Sequence, residues 1–280
     1  MLQPKITIIT AVYNAEKTLE QTIQSVICQT YSNIEYIIVD GGSKDRTVDL
    51  IRKYNDQIAY WVSEPDSGIY DAFNKGVVHA TGDYVQFLGS DDCLCDKFVI
   101  EKIANQIECD VDILSAGVWV VDETRGLQSL VTGLKATESD YNHTMIPHQG
   151  MFVRRDLLLK YPFDTSYRIA ADYLFFLTCY YDKTVQFRYI AFPVAFYSMV
   201  GVSSVPSVLL REENNRVRAT FGLPARMVCK SYVKEFVKDV LKQLHLFELI
   251  RYILDRYIHK TWQPHHCNWQ GCRWCNDRRC

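Results

Sequence analysis

The sequence lacks any uninterrupted run of eighteen or more apolar residues, so no segment is long and apolar enough to form a transmembrane helix. Its first residues, Met1 to Lys5, lead directly into a strand-like segment without the apolar stretch of a signal peptide. We therefore expect a cytosolic protein. Internal repeats and low-complexity tracts are also missing, and the 48% apolar composition excludes a largely disordered chain and favours one substantial core.

The ten cysteines lack the regular spacing of a disulfide framework. We predict that the scattered ones are reduced and mostly buried: Cys28, Cys93, Cys95, Cys109, Cys179 and Cys229. The end of the chain contains further candidate zinc ligands: His265, His266, Cys267, Cys272, Cys275 and Cys280. Only Cys272 and Cys275 have the tight C-x₂-C spacing of a zinc site, so a zinc site and a loosely ordered, reduced tail both stay open.

The net charge of −2 conceals an uneven distribution along the chain. Residues 1–204 contain 17 basic and 26 acidic residues, whereas residues 205–280 contain 14 basic and 7 acidic residues. From Ser231 to Ile258, apolar residues recur at helical spacing with lysines between them. This basic amphipathic stretch is compatible with packing on the rest of the protein or with binding to an anionic membrane surface. We expect no nucleic-acid partner.

Strands and helices alternate over the first part of the sequence, which predicts an α/β fold with parallel strands. A cap at Asn14 is expected to begin the first helix, whose apolar face includes Leu19 and Ile23. The predicted strands of this part are Lys5 to Val12, Ile34 to Val39, Ile58 to Val62 and Tyr84 to Leu88. The later predicted elements are strands at Val111 to Val121 and Met151 to Val153, a helix at Ala171 to Tyr181 and a strand pair at Val185 to Tyr197.

Two adjacent carboxylates, Asp91 and Asp92, follow the fourth predicted strand. Open α/β sheets bind ligands at the carboxyl ends of their strands, and Mg²⁺ or Mn²⁺ is held by few carboxylates together with phosphate oxygens. For the acidic pair alone, capping of the next helix is the simpler explanation. Thr10 to Asn14 and Val39 to Ser43 follow two neighbouring strands, however, so three strand ends converge on one crevice and favour a ligand site.

Four segments resemble the family 2 glycosyltransferases with the GT-A fold, especially bacterial polysaccharide enzymes: Thr10 to Asn14, Val39 to Thr47, Glu64 to Gly76 and Gly82 to Asp92. The resemblance implies a Rossmann-like mixed sheet flanked by helices in residues 1–204. Within it, residues 1–92 would bind the nucleotide sugar and residues 93–204 would form the acceptor side. A helical, basic extension with the Cys-rich tail would follow over residues 205–280.

The same resemblance assigns roles on the donor side. It places Thr10, Tyr13 and Asp40 around the nucleotide base. A carboxylate can accept a hydrogen bond from an imide N–H of the base, and a tyrosine offers an aromatic face for stacking. It places Asp91 near the ribose and makes Asp92 the ligand of Mg²⁺ or Mn²⁺. The resemblance places Asp66 in a donor-side loop and makes Lys75 a candidate for binding the phosphates. Without the resemblance, Lys75 is more simply a solvated lysine, Asp40 a turn residue and Tyr13 a core aromatic residue.

On the acceptor side, Asp172 lies at the start of a predicted helix and resembles the family's general base, whereas His148 resembles a histidine that faces the acceptor. A carboxylate in the first turn of a helix also has a purely structural explanation. An inverting transfer needs a base that takes the acceptor proton as the hydroxyl attacks the anomeric carbon. Because the family that the sequence resembles is an inverting one, the resemblance implies an inverting, metal-dependent transfer of sugar from a UDP-sugar or other NDP-sugar to a saccharide or lipid-linked saccharide.

Two rival functions stay open. A sugar-nucleotide nucleotidyltransferase uses a related sheet, but the Gly-rich, Arg-containing loop that it places after its first strand is missing from Thr10 to Lys17. A non-catalytic nucleotide-sugar-binding protein would tolerate the loss of Asp92 and Asp172. The expected location is the cytoplasm, with the inner face of the membrane as an additional site for the basic extension.

Overall fold

The computed structural model describes residues 3–123, 126–131, 147–199, 208–225 and 262–265. Within these residues, ten strands form one mixed sheet with helices packed on both faces. The strands are β1 (Ile6–Val12), β2 (Ile34–Asp40), β3 (Tyr60–Ser63), β4 (Tyr84–Phe87), β5 (Cys93–Leu94), β6 (Ile113–Asp122), β7 (Leu127–Val131), β8 (Met151–Arg154), β9 (Phe187–Ser198) and β10 (Trp262–Pro264). The helices are α1 (Leu19–Ile27), α2 (Thr47–Lys53), α3 (Ile69–His79), α4 (Val99–Ala104), α5 (Arg155–Lys160), α6 (Ala171–Tyr181) and α7 (Val208–Thr220). Single 3₁₀ turns cover Asn55–Gln57 and His148–Gly150.

The strand order is β10-β7-β6-β8-β4-β1-β2-β3, and β9 pairs with both β5 and β6. Strand β1 runs parallel to β2 and β4, and β2 runs parallel to β3, so the four N-terminal strands share one direction. Strand β8 runs antiparallel to β4 and to β6 and thereby joins the two halves of the sheet. The predicted α/β class, with its mixed sheet and flanking helices, is confirmed.

Two apolar layers bury the sheet because successive side chains of a strand point to opposite faces. In β2, Ile37 and Val39 pack with the layer that contains α3, α5 and α6, whereas Tyr36 and Ile38 pack with the layer of α1, α2 and α4. Val217 of α7 is fully buried in the first layer. Burial on both faces explains why the central strands consist of nearly continuous apolar runs.

Two local predictions are wrong. Asn14 does not cap α1, which begins after Thr18; instead Asn14 has a positive φ of 49° and accepts a hydrogen bond from the Lys44 backbone N–H at 2.8 Å. Val185 to Tyr197 does not form a strand pair, because β9 is one long strand. The register of β9 against β6 shifts around Gly117 and Pro193, and such a bulge bends a strand without ending it.

The five described cysteines are free, as expected, but they are not mostly buried. Cys93 and Cys179 are buried, whereas Cys28 and Cys109 are exposed. His265 is described, and its Nδ1 lies 2.7 Å from Gln128 Oε1. The remaining zinc candidates, Cys229 and the amphipathic stretch from Ser231 lie outside the described residues. Over the part of the chain that the structure describes, every helix is too short or too polar to span a membrane.

Candidate active site

The carboxyl ends of β1, β2 and β4 lie side by side, as the sequence predicts. Val12 is in register with Asp40, and Ile9 is in register with Phe87, so the loops after the three strands leave the sheet at the same edge. The first two loops are also joined directly, since the Asn14 backbone N–H donates to Ser43 Oγ at 2.8 Å. This edge brings Tyr13, Asp40 and the acidic pair after β4 into one region.

Asp40 organises the loop that follows β2. Its buried Oδ2 accepts hydrogen bonds from the backbone N–H groups of Gly42 (3.1 Å) and Ser43 (3.0 Å) and from Ser63 Oγ (2.6 Å). Ser43 Oγ also donates to Oδ1. Gly42 adopts a φ of +82°, which an L side chain rarely adopts, and this conformation lets the chain fold back over the carboxylate. Asp40 therefore fixes the conformation of the loop after β2.

Thr10 and Tyr13 lie in very different environments. Thr10 is fully buried, and its Oγ1 lies 3.2 Å from the hydroxyl of Tyr36 inside the sheet. Tyr13 follows the end of β1, and 62% of its surface is exposed to solvent. The Tyr13 ring is thus available for an aromatic contact at the edge, whereas the Thr10 side chain faces the interior.

Asp66 and Lys75 belong to a charged group beside the crevice. Asp66 lies against the backbone of Gly41, where an added Cβ would be 2.6 Å from Asp66 Oδ2. Burial raises the pKa of Asp66, against the opposing effect of a hydrogen bond from the Gly68 backbone. Lys75 Nζ lies 2.8 Å from Glu64 Oε1, and this hydrogen bond raises the lysine pKa. Lys75 is therefore held as a cation between the carboxylates of Glu64 and Asp71.

Asp91 and Asp92 converge over Gly89, where an added Cβ would be 3.1 Å from Asp91 Oδ1 and 2.6 Å from Asp92 Oδ2. Asp91 is partly exposed, whereas only 2% of Asp92 is exposed. Asp92 Oδ2 accepts from the Gly89 backbone N–H at 3.1 Å, and Oδ1 accepts from the Ser198 backbone N–H at 3.1 Å. Burial, and then the neighbouring charge of Asp91, raises the pKa of Asp92 to about 7.

These two carboxylates fit a hard divalent cation. Across the described residues, no three side chains of His, Cys, Asp or Glu come together as a complete protein metal site. Mg²⁺ and Mn²⁺ need no such cage in nucleotide enzymes, because one or two carboxylates and the substrate phosphates supply the oxygen ligands. The like charges of Asp91 and Asp92 also repel each other at this point, and a cation would relieve that repulsion.

Asp172 lies in the first turn of α6, within a network of hydrogen bonds. His148 Nδ1 lies 3.1 Å from Asp172 Oδ2, and the Tyr70 hydroxyl shares its one proton between Asp172 Oδ1 at 2.9 Å and the Ile169 carbonyl oxygen at 2.7 Å. The Tyr173 backbone N–H also donates to Oδ1, at 2.8 Å. Burial raises the pKa of Tyr70 well above its ordinary value, and the charge of Asp172 acts in the same direction. Tyr70 is therefore a neutral donor that orients the carboxylate.

Gln149 is a site residue that the sequence analysis missed. Its Nε2 donates to Asp92 Oδ2 at 2.9 Å, while the adjacent His148 contacts Asp172. His148 and Gln149, adjacent in one 3₁₀ turn, thus contact the carboxylates of Asp172 and Asp92. Gly150 lets this turn pack tightly, since an added Cβ would be 2.4 Å from the carbonyl oxygen of Ala116. A polar amide two positions before the apolar strand β8 was the available signal.

The family model described as "Glycosyl transferase family 2" matches residues 7–161. The chain belongs to this family. A "PGL/p-HBAD biosynthesis glycosyltransferase" of Mycobacterium bovis is 31% identical over 206 residues, which cover 72% of this chain and 79% of the relative. An uncharacterized glycosyltransferase of Mycobacterium tuberculosis is 32% identical over 178 residues, which cover 62% of this chain and 68% of the relative. The predicted family and the assignment as a glycosyltransferase are confirmed.

Several solved structures share the fold of this chain. The structure of S. aureus TarS 1–349 in complex with UDP-GlcNAc has a TM-score of 0.59 at 20% identity, over 76% of this chain and 64% of that chain. A mannosyltransferase from Pyrobaculum calidifontis in complex with GDP-Man and Mn²⁺ has a TM-score of 0.55 at 20% identity, over 78% of this chain and 62% of that chain. The alignment with another S. aureus TarS structure spans 43% of that chain. The GT-A fold is thereby confirmed for this family 2 chain.

Proposed function

We propose that this chain transfers a sugar with inversion from a UDP-sugar, or another NDP-sugar, to a hydroxyl of a saccharide or lipid-linked saccharide. The observation that carries the proposal is the 3₁₀ turn at His148–Gly150. Its side chains hydrogen-bond Asp172 and Asp92, so a candidate base and a candidate metal ligand belong to one connected site. The M. bovis relative named for PGL/p-HBAD biosynthesis supports a role in glycan assembly.

On the donor side, the exposed ring of Tyr13 would stack on the base, and Thr10 and Asp40 would support the loops around it. Asp66 and Lys75 would border the diphosphate, and Asp91 would contact the ribose. Asp92, with Asp91, would hold Mg²⁺ or Mn²⁺. When bound there, the cation supplies charge neutralisation for the departing diphosphate.

On the acceptor side, Asp172 would act as the general base. The acceptor oxygen forms a bond to the anomeric carbon while its proton passes to the carboxylate of Asp172, and the bond between that carbon and the diphosphate oxygen breaks. The hydroxyl of Tyr70 and the ring of His148 hold the carboxylate in place. His148 also lines the path that the acceptor would take.

The predicted location and partners are part of this proposal. The proposed location is the cytoplasm, and the basic extension would contact the inner face of the membrane. The division into a catalytic domain over residues 1–204 and an extension over 205–280 stays a prediction, and two elements of the second part, α7 and β10, pack on or pair with the first part. Membership of a glycosyltransferase family favours transfer over the rival nucleotidyltransferase reaction.

The first experiment is a screen of NDP-sugars by thermal shift with and without Mn²⁺, since a ligand of the folded state raises its melting temperature. The donor that binds is then used in a transfer assay with Asp172→Asn and the matched control Asp110→Asn, an exposed aspartate between α4 and β6. Because a general base contributes about 10² to 10⁴ in rate, Asp172→Asn should lose at least about a hundredfold in kcat while the control keeps the parent rate.

An Asp172→Asn variant that turns over like the parent would remove the assigned base. A parent chain that binds the nucleotide sugar but gives neither transfer nor hydrolysis would favour the rival binding protein. NMR of the product tests the stereochemistry, and retention of the donor's anomeric configuration would contradict the inverting reaction.

A further inference from the structure

Helix α7 reaches the loop that positions Asp172 through one buried carboxylate. Glu213 is only 6% exposed and points into the turn before α6. Its Oε1 accepts a hydrogen bond from the Arg168 backbone N–H at 2.8 Å, and its Oε2 accepts from the Ile169 and Ala170 backbone N–H groups at 2.8 and 3.0 Å. One side chain therefore holds three consecutive backbone donors.

These backbone groups connect directly to the site. The carbonyl oxygen of Ile169 lies 2.7 Å from the Tyr70 hydroxyl, which also contacts Asp172 Oδ1 at 2.9 Å. Ala170 is the N-cap of α6, and its side chain cannot accept the backbone hydrogen bonds that Ser or Asp would accept. The geometry of the turn and of Asp172, two residues later, thus depends on an acceptor supplied from another helix.

Further contacts hold α7 against the same turn. The guanidinium of Arg216 lies 3.5 Å from the centre of the Tyr167 ring and donates to Ser166 Oγ at 2.6 Å. Val217 is fully buried, and the rings of Phe221 and Tyr181 stack at 5.2 Å. The contacts of Arg216, Val217 and Phe221, all of which follow Glu213 in the chain, therefore hold α7 against this turn.

We propose that Glu213 is a positioning residue for the transfer reaction: its carboxylate fixes the turn at residues 168–170 and thereby the orientation of Asp172 and Tyr70. This inference rests on the proposed function. It assigns a role in the reaction to a helix that lies in the part of the sequence expected to be an extension.

The test is Glu213→Gln, which keeps the size of the side chain but turns an amide donor toward backbone donors, so at least one N–H loses its acceptor. Glu212→Gln is the matched control, because it makes the same charge change at an exposed position of α7. We expect Glu213→Gln to lower kcat about tenfold or more while the donor KM changes less than twofold, and the control to match the parent. Amide hydrogen exchange at residues 168–170 should become faster in Glu213→Gln alone.

A double-mutant cycle separates positioning from a general structural effect. In the Asp172→Asn background, Glu213→Gln should change the residual rate less than twofold, because the group through which it acts is already inactive. An equal loss in both backgrounds, or a folded Glu213→Gln variant with the parent kcat, overturns the proposal. If Glu213→Gln is too unstable to assay, Glu213→Asp is used in the same cycle, since its shorter carboxylate reaches fewer of the three amides.

The proposed function and this inference fail in different ways. An inactive parent chain, or an Asp172→Asn variant at the parent rate, overturns the proposed function. An active parent with an impaired Asp172→Asn variant and an unimpaired Glu213→Gln variant overturns only the role of Glu213.

Discussion

Replacing Gln149 by leucine removes the side-chain donor to Asp92 with little change in volume. Both side chains are buried, and the bond measures 2.9 Å. Asp92 has a pKa raised to about 7, so its carboxyl group carries a proton at pH 5 and is ionised at pH 8. A hydrogen bond to a charged group contributes about 1.5 to 3 kcal/mol and one to a neutral group about 1 kcal/mol. The variant should therefore lose about 2 kcal/mol in the free energy of unfolding at pH 8 and about 1 kcal/mol at pH 5.

Urea denaturation followed by circular dichroism at both pH values measures these losses, and the loss at pH 8 corresponds to a fall of roughly 5 °C in Tm. Gln57→Leu, at an exposed position of a 3₁₀ turn, is the control and should stay within about 0.5 kcal/mol of the parent. In the Asp92→Asn background the cost of Gln149→Leu should shrink, because the charged acceptor is gone. Parent-like stability at pH 8, or an undiminished cost in the Asp92→Asn background, would refute the assigned contact.

Two further predictions concern the opposite edge of the sheet and the donor side. Burial alone would raise the pKa of Glu35, but hydrogen bonds from two threonines and a lysine outweigh it and lower the pKa to about 2. The ionised carboxylate therefore stabilises the fold above pH 4.5, and this stabilisation is lost as the pH falls toward 2. Glu35→Gln should lower the free energy of unfolding by about 1 to 2 kcal/mol at pH 7, allowing for solvent screening, and urea titrations should show this difference from the parent shrinking below pH 4.5. Tyr13→Ala should weaken UDP binding about tenfold in calorimetry, because stacking on a base contributes about 1 to 3 kcal/mol, and Tm should not change at this exposed position. Phe98→Ala is the control at another exposed aromatic residue. An unchanged UDP affinity in Tyr13→Ala would exclude stacking.

The donor half of the fold could be predicted well because its local patterns agree with its tertiary environment. Strands β1, β2 and β4 are buried on both faces and therefore consist largely of apolar residues, and each strand ends at a polar loop. Helix α6 was predicted with its observed bounds, Ala171–Tyr181. Asp40, Asp91 and Asp92 lie at the ends of strands or in the loops that follow them. The sequence alone therefore predicted that they share one edge of the sheet.

The acceptor half was less legible because its contacts join distant positions. Gln149 meets Asp92 across 57 residues, and Glu213 meets Ile169 across 44 residues, separations that no local pattern reveals. Helix α7 lies in the region that was predicted to be helical, but its bounds and its packing on the core were not predicted, because its many charged and amide side chains leave only a weak apolar stripe around Val217. Strand β9 was divided in the prediction because a register shift cannot be distinguished from a turn by composition alone.

The tight seat of Gly150 against Ala116 has a consequence for engineering by recombination. Because Gly150 packs tightly against the backbone of Ala116, the 148–150 turn cannot shift to fit a different residue at position 92 while it keeps its contact with Asp172. A chimaera that takes residues 1–92 and residues 93–204 from different parents separates Gln149 from Asp92, so these two residues must be exchanged as a pair. His148 and Asp172 both come from the second segment, and a crossover between them separates that pair in the same way. Crossovers that split either pair should give folded but poorly active hybrids.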